Sequence, residues 1–260
     1  MTRIHLAALA AVIAAASPAA AKSLTVGANV GNVPWEFQNE KSEIVGFEVD
    51  LVREAAKRMG YDDVQFENIP FNGLFSAVQS GRIDAAVSSI TITKKRLESV
   101  SFAQPYYDSD QSLSVLKTSG IEGLSGLKGK VVGVDTGSTG DIYASEHQGE
   151  LGLSEIRRFE GLAPAMLDLA AGRIDGYISD IPAVAYYIRD KPQYAVVERI
   201  PTGEQYSIMF AKDSPLVPEA TQAITAMKQD GFLAKLHETW FGTQPDPKTS
   251  TVMVADTPKP

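Results

Sequence analysis

Two stretches of this chain repeat each other. Residues 80–90 read SGRIDAAVSSI and residues 171–181 read AGRIDGYISDI. Each follows an amphipathic run, Leu74-Phe75-Ser76-Ala77-Val78 before the first and Ala165-Met166-Leu167-Asp168-Leu169 before the second. A glycine just past such a run is a helix stop, because glycine enters the left-handed conformation without steric cost. In both copies an Arg-Ile-Asp turn follows, and then an apolar run of strand length. The same order of helix, stop, turn and strand, met twice, constrains the fold more than any single element: it predicts two lobes of like construction. The first strand ends at Ser89 and the second at Asp180. Ligands of open α/β sheets bind outside the carboxyl ends of strands. Two such ends facing each other predict a cleft with Ser89 on one wall and Asp180 on the other.

The rest of the chain fits this pattern. Leu24-Thr25-Val26-Gly27 is a short apolar strand. Phe47, Val49, Leu51, Val52, Ala55, Ala56 and Met59 form an apolar face at helical spacing, stopped by Gly60. Val64 to Ile69 alternates as a strand does. Helices alternating with strands predict an α/β fold, each lobe a mostly parallel sheet flanked by helices. Lobe 1 is expected from residues 22–108 and 207–243, and lobe 2 from 109–206. Two hinge strands join them, at the polar stretches near Tyr106–Gln111 and Thr202–Ser207. Residues 244–260, with four prolines and little periodicity, are expected to form a mobile tail.

The N-terminus reads as a secretory signal peptide over residues 1–21. Arg3 supplies the basic start, Leu6 to Ala16 the apolar core, and Ala19-Ala20-Ala21 the small-residue end. That core falls short of the roughly 20 apolar residues of a membrane span. No other run approaches that length, so no membrane insertion is expected. The formal net charge is −8, and loss of the leader would remove Arg3. A chain this acidic is a poor nucleic-acid binder. The absence of cysteine excludes disulfides, thiolate catalysis, thiolate metal sites and a cysteine-linked lipid anchor. His147 and His237 lie far apart, no metal-ligand spacing occurs, and no cofactor is expected.

A zwitterionic amino acid poses a definite problem to such a cleft. Its carboxylate needs cationic and backbone N–H donors, and its ammonium needs an anion and further acceptors, because both are desolvated together. The stretch Ser88-Ser89-Ile90-Thr91-Ile92-Thr93-Lys94-Lys95-Arg96 can meet the first need. Thr91 stands where the strand gives way to a helix starting at Thr93, and Arg96 lies one turn on, able to form a bidentate contact. The competing reading makes Arg96 a solvated helix residue beside Lys94 and Lys95. On the other wall, Asp135-Thr136-Gly137-Ser138-Thr139-Gly140-Asp141 follows the strand Val131 to Val134. It is either a loop that presents N–H groups to an anion or an ordinary strand-to-helix turn. Asp180 can take the ammonium, cap the helix that begins at Pro182, or do both.

These stretches carry a resemblance. GFEVDLVREAAKRMG (46–60), SSITITKKR (88–96), VSFAQPYY (100–107), LKGKVVGVDTGST (127–139), GRIDGYISD (172–180) and DGFLAKLHETWFG (230–242) together resemble the polar amino-acid-binding proteins of bacterial ABC importers. The type is that of the glutamine- and lysine/arginine/ornithine-binding proteins, in family 3 of the solute-binding proteins. The resemblance runs from about Leu24 to Gly242. It implies a hinge-closing periplasmic-binding-protein fold, a monomer in the periplasm, an ABC permease as partner, and no catalysis. It also implies that Arg96 holds the ligand carboxylate, helped by Thr91 and the Ser138–Thr139 backbone. Ser89, Thr91 and Asp180 would hold the ammonium, and Phe71 would stack on the side chain. Three positions depart from relatives: Asn29 stands for an Asp, Asn32 for an aromatic, and Asp135 for the Lys of the glutamine-binding type. The side-chain pocket is thus more polar and more acidic, which suits a polar neutral or cationic side chain. Trp35 and Glu36 are candidates to replace the missing aromatic, or else form a structural turn after Pro34.

Two enzyme readings compete. Asp135-Thr136-Gly137 spells an aspartic-protease motif, but that chemistry needs two carboxylates sharing a proton and a β-barrel context. A periplasmic dehydratase of prephenate-like cyclic acids would use the same fold and a general acid in the cleft, for which Asp135 is the candidate.

Overall fold

The computed structural model describes residues 21–260; the predicted leader lies outside them except for Ala21. The chain begins with β1 (Ser23–Ala28), the small pair β2 (Phe37–Gln38) and β3 (Ile44–Val45), and helix α1 (Phe47–Arg58). Next come β4 (Asp63–Asn68), α2 (Phe71–Gln79), β5 (Ala85–Ala86), the one-turn helix α3 (Lys94–Leu97) and β6 (Val100–Phe102). The long strand β7 (Tyr107–Leu116) leads to β8 (Val131–Asp135), α4 (Thr139–Glu146), α5 (Gln148–Leu151) and β9 (Glu155–Phe159). After α6 (Leu162–Ala170), β10 (Gly176–Asp180) and α7 (Ile181–Ile188), the chain returns along β11 (Tyr194–Tyr206) to β12 (Met209–Ala211), α8 (Leu216–Gln229) and α9 (Phe232–Phe241).

These elements make two five-stranded sheets, ordered β4-β1-β5-β12-β6 and β11-β7-β10-β8-β9. In each, four strands run one way and one runs against them: β12 in the first sheet, β7 in the second. The reversed strand is in both cases the one delivered by a crossing between the sheets. Each sheet buries an apolar cluster on both faces, as a doubly wound sheet must. The crossings themselves are β7 and the end of β11, which pair antiparallel from Tyr107 opposite Tyr206 to Leu116 opposite Tyr194.

The sequence echo has one physical cause in both lobes. Gly81 and Gly172 take positive φ, and the next residue's amide reaches back to close the helix, Arg82 to the Ala77 carbonyl and Arg173 to that of Asp168. The aspartate of each motif then clamps the neighbouring strand. Asp84 donates its amide to the Thr25 carbonyl and accepts the Thr25 amide at 2.8 Å. Asp175 does the same with Val131, at 2.8 and 2.9 Å. The isoleucine plugs the sheet: a Cβ on Gly27 would sit 2.5 Å from Ile83 Cδ1, and one on Gly133 would sit 2.6 Å from Ile174 Cδ1. Each motif thereby sets the height at which its strand delivers Ser89 or Asp180 to the cleft.

Residues 244–260 form no helix or strand, in keeping with their composition, yet they are held against lobe 1 and the hinge. Ser250 and Thr251 are buried. Ser250 donates to the Asp108 carboxylate, Thr251 Oγ1 to the Tyr106 carbonyl, and the Ala255 amide to Gln104 Oε1. Lys228 Nζ donates to the carbonyls of Pro105 and Met253 and to Gln104 Oε1. Hydrogen bonds to hinge residues, rather than apolar periodicity, order this segment.

Candidate functional site

The lobe-1 wall is built where β5 stops. Val87 makes the last bond to β1, donating to the Gly27 carbonyl at 3.0 Å. Ser89 then turns into the left-handed region at φ 45°. Its amide leaves the sheet and donates to both carboxylate oxygens of Glu48, at 2.9 and 3.0 Å. Ser88 Oγ donates to Glu36 Oε1 at 2.6 Å, and Asn32 Nδ2 donates to Ser89 Oγ at 3.1 Å. This is why the strand predicted to end at Ser89 is cut to Ala85–Ala86: its end bonds to side chains and not to a neighbouring strand.

Thr93 caps α3, its hydroxyl accepting the Arg96 amide at 3.1 Å. One turn supports little helix dipole, so the positive charge at this wall comes from the Arg96 side chain. Arg96 is not solvated like its neighbours. It is 8% exposed, lies over the rings of Phe71 and Phe75 at 5.4 and 5.1 Å, and donates to the Thr91 carbonyl at 2.7 Å. Its other terminal nitrogen crosses the cleft to the Gly137 carbonyl at 3.2 Å. Burial lowers its pKa to about 10, against the opposing pull of Glu204 and Asp180. It therefore stays charged at neutral pH, and two bonds leave three of its five donors free.

The lobe-2 wall is the turn from β8 into α4 together with the end of β10. Ser138 caps α4, accepting the Asp141 amide at 3.1 Å. Gly140 has no room for a side chain, since a Cβ would meet the Ile178 carbonyl at 2.8 Å. Asp180 occupies the cap position of α7, but its carboxylate accepts no bond from that helix. It accepts instead from Gln111 Nε2. Burial and the charge of Glu204 hold the Asp180 carboxyl well above the usual carboxylate range. Asp135 is half-buried, with Oδ1 covered and without a donor. Burial and the nearby charge of Glu160 push it up to about 7, partly offset by the Tyr177 hydroxyl and the Gly161 amide.

The two walls meet over the hinge. Glu204, buried near the end of β11, accepts from Thr91 Oγ1 of one lobe at 2.7 Å and from Thr139 Oγ1 of the other at 3.0 Å. Gln111 Nε2 adds a third bond at 3.0 Å. The cavity between them has a volume of about 160 Å³. A water needs roughly 10–15 Å³ by this measure, so the cavity has room for a ligand of on the order of ten heavy atoms.

All nine residues singled out from the sequence line this cavity: Asn29, Phe71, Ser89, Thr91, Arg96, Asp135, Ser138, Thr139 and Asp180. Trp35 and Glu36 do not. Both are fully buried; Trp35 packs among Phe47, Tyr107, Tyr206 and Phe241, so it belongs to the core and replaces no pocket aromatic. Sequence reasoning missed Gln111, Glu160 and Glu204. A lone acid in a polar hinge stretch has no pattern that marks it. Among the described residues no group of side chains is placed to hold a metal ion, and no helix is long and apolar enough to cross a membrane.

Comparison with known proteins agrees with this geometry. A family model described as bacterial extracellular solute-binding proteins, family 3, matches residues 24–243. The arginine-binding extracellular protein ArtP of Bacillus subtilis is 33% identical over 85% of this chain and 86% of its own length. The histidine-binding periplasmic protein of Salmonella typhimurium is 32% identical over 87% and 90%. Among solved structures, an ancestral arginine-binding protein bound to arginine superposes with a TM-score of 0.80 at 33% identity, covering 85% of this chain and 98% of that one. The arginine-, lysine-, histidine-binding protein ArtJ of Geobacillus stearothermophilus gives 0.80 at 31%, covering 87% and 98%. Fold, paired walls and similarity across nearly the whole described chain converge: this protein belongs to the family 3 bacterial extracellular solute-binding proteins, a family of receptors and not of enzymes.

Proposed function

We propose that this protein is an exported, periplasmic receptor that captures an L-amino acid with a cationic side chain, arginine foremost, and delivers it as a monomer to an ABC import permease. The carrying observation is the charge balance of the cavity. Among the described residues Arg96 is the one cation in its lining, against Asp135, Glu160 and Asp180, with Glu204 directly behind. A zwitterion needs one charge of each sign; this surplus of acid suits a ligand with a second positive charge. In this reading Arg96 takes the ligand carboxylate, Asp180 with Ser89 and Thr91 takes the ammonium, and Asp135 and Glu160 meet the side-chain cation beyond the Phe71 ring. Ligand bridging of the two walls would shift the population toward the closed form, the shape the permease reads. The relatives named for arginine and histidine support the same ligand class.

The dehydratase alternative would find in Asp135 an acid poised near neutrality. A prephenate-like substrate, however, brings two carboxylates to a cavity with one cation and several acids, and the family argues against it. The test is thermal unfolding of refolded, ligand-stripped protein against the twenty amino acids and such cyclic acids. A ligand at a hundred times its Kd stabilises by about 2.7 kcal/mol. Arginine, lysine or histidine should raise Tm and glutamate should not. A response confined to neutral or acidic ligands would overturn the cationic assignment.

A further inference from the structure

Behind the lobe-1 wall, outside the cavity, lies an acidic pair that ligand binding as described does not use. Glu36 and Glu48 are both fully buried. Gly46 brings them together. With φ at 144° and no side chain, it lets α1 start hard against the Trp35 backbone, where a Cβ would lie 2.0 Å from the Trp35 carbonyl oxygen. The Phe47 and Glu48 amides then donate to the carbonyls of Pro34 and Trp35, at 2.9 and 3.0 Å. Among the described residues no cation faces either acid. Around them stand each other, the Ser88 hydroxyl on Glu36, the Ser89 amide and the Tyr106 hydroxyl on Glu48, and the Asn32 amide beside Glu36.

Two unneutralised carboxylates side by side in an apolar core are strongly unfavourable, and one proton shared between them removes half that charge. Burial and the charge of Glu48 hold the Glu36 carboxyl well above its usual range. Burial raises Glu48 too, but the hydrogen bonds it accepts oppose this. Glu36 Oε2 has no donor, as suits an oxygen that carries the proton toward Glu48.

We infer that Glu36 and Glu48 act as one singly protonated unit that positions the Ser88–Thr91 strand end for the ligand's ammonium, Glu48 as the ionised acceptor and Glu36 as the acid that supports it. A serine at positive φ persists only where its surroundings fix it, and the two bonds from its amide to Glu48 are that restraint. Ser88 and Ser89 both donate away from the cavity. Ser89 Oγ, already accepting from Asn32, keeps its second lone pair for an ammonium. Both glutamates are positioning residues. Their effect on affinity rests on the amino-acid reading above, but their effect on Ser89 does not. The singly protonated arrangement exists between the pair's two titration steps: it is lost as pH rises through the raised value of Glu36, and lost at low pH where Glu48 takes a proton as well.

Two readouts test this. In protein without added ligand, the Ser89 amide proton resonance should lie downfield, stay there in Glu36→Gln, and move upfield in Glu48→Gln. In calorimetry with L-arginine from about pH 7 to about pH 9.5, Glu36→Gln should bind within about threefold of wild type and show a shallower alkaline fall in affinity, keeping only the part that comes from the ligand's own α-ammonium, while Glu48→Gln should bind at least about tenfold more weakly. Should Glu48→Gln fail to fold, Glu48→Asp, which withdraws the charge by one methylene, should move the same amide. An unmoved Ser89 amide in the Glu48 variant overturns the inference. So do equal losses in both variants with an unchanged pH profile, which would mean packing alone. If L-arginine fails to bind wild type, the ligand assignment falls, and the amide shift still decides the positioning role.

Discussion

Asp135 combines a covered, donorless oxygen with a pKa near 7. Its folded value lies above its ordinary one, so its contribution to stability is present below the ordinary carboxylate range and is lost as pH rises toward and through about 7. Asp135→Asn cannot ionise and should gain Tm relative to wild type at alkaline pH more than at acid pH. Binding runs the other way. A cationic side chain favours the ionised acid, so wild-type affinity for arginine should rise as pH passes upward through about 7, with proton release visible by calorimetry in buffers of different ionisation enthalpy. Asp135→Asn should abolish that dependence and weaken arginine by about tenfold, with glutamine little changed. Arg96→Ala removes a desolvated fork and should lower affinity about a hundredfold or more in calorimetry; near-normal binding would take Arg96 out of the site. The position of Arg96 one turn beyond Thr93 was legible from spacing. Its burial was not, because Phe71 and Phe75, which cover it, belong to another helix.

At the scale of elements, the most legible features were those made by local chemistry. Both helix stops at Gly81 and Gly172, the cap at Thr93 and the strand-turn-helix at 131–141 follow from residues within a few positions of each other. The end of β5 was misread because Glu48 draws the Ser89 amide out of the sheet. The C-terminal segment was misread for a similar reason: composition describes its polarity but not the carboxylate of Asp108, the carbonyl of Tyr106 or the buried Lys228 that receive it. Deleting residues 244–260 should leave a folded protein with Tm lower by about 3–6 °C, the shift expected for a net loss of roughly 1–2 kcal/mol. An unchanged melting curve would show that these contacts do not contribute.

For the whole molecule, Glu204 is the joint between lobes. It holds Thr91 of one wall and Thr139 of the other, and Thr91 also bridges to Tyr206 at the end of β11. Glu204→Ala strands the buried Thr91 hydroxyl and takes the acceptor from the half-buried Thr139 hydroxyl, and should weaken ligand binding by about tenfold or more, chiefly through faster dissociation. In small-angle scattering, ligand should contract wild type and contract this variant less. By itself the sequence determined two lobes of one construction, the strand end that bears Asp180, and the residue types needed by a zwitterion, because period, glycine stops and turns act over a few residues. Tertiary structure alone decided which acids gather around Arg96, that Asp180 faces the cleft and not its own helix, and that Glu36 and Glu48 share a core. Those outcomes depend on desolvation and on partners far apart in the chain, and neither is written in local order.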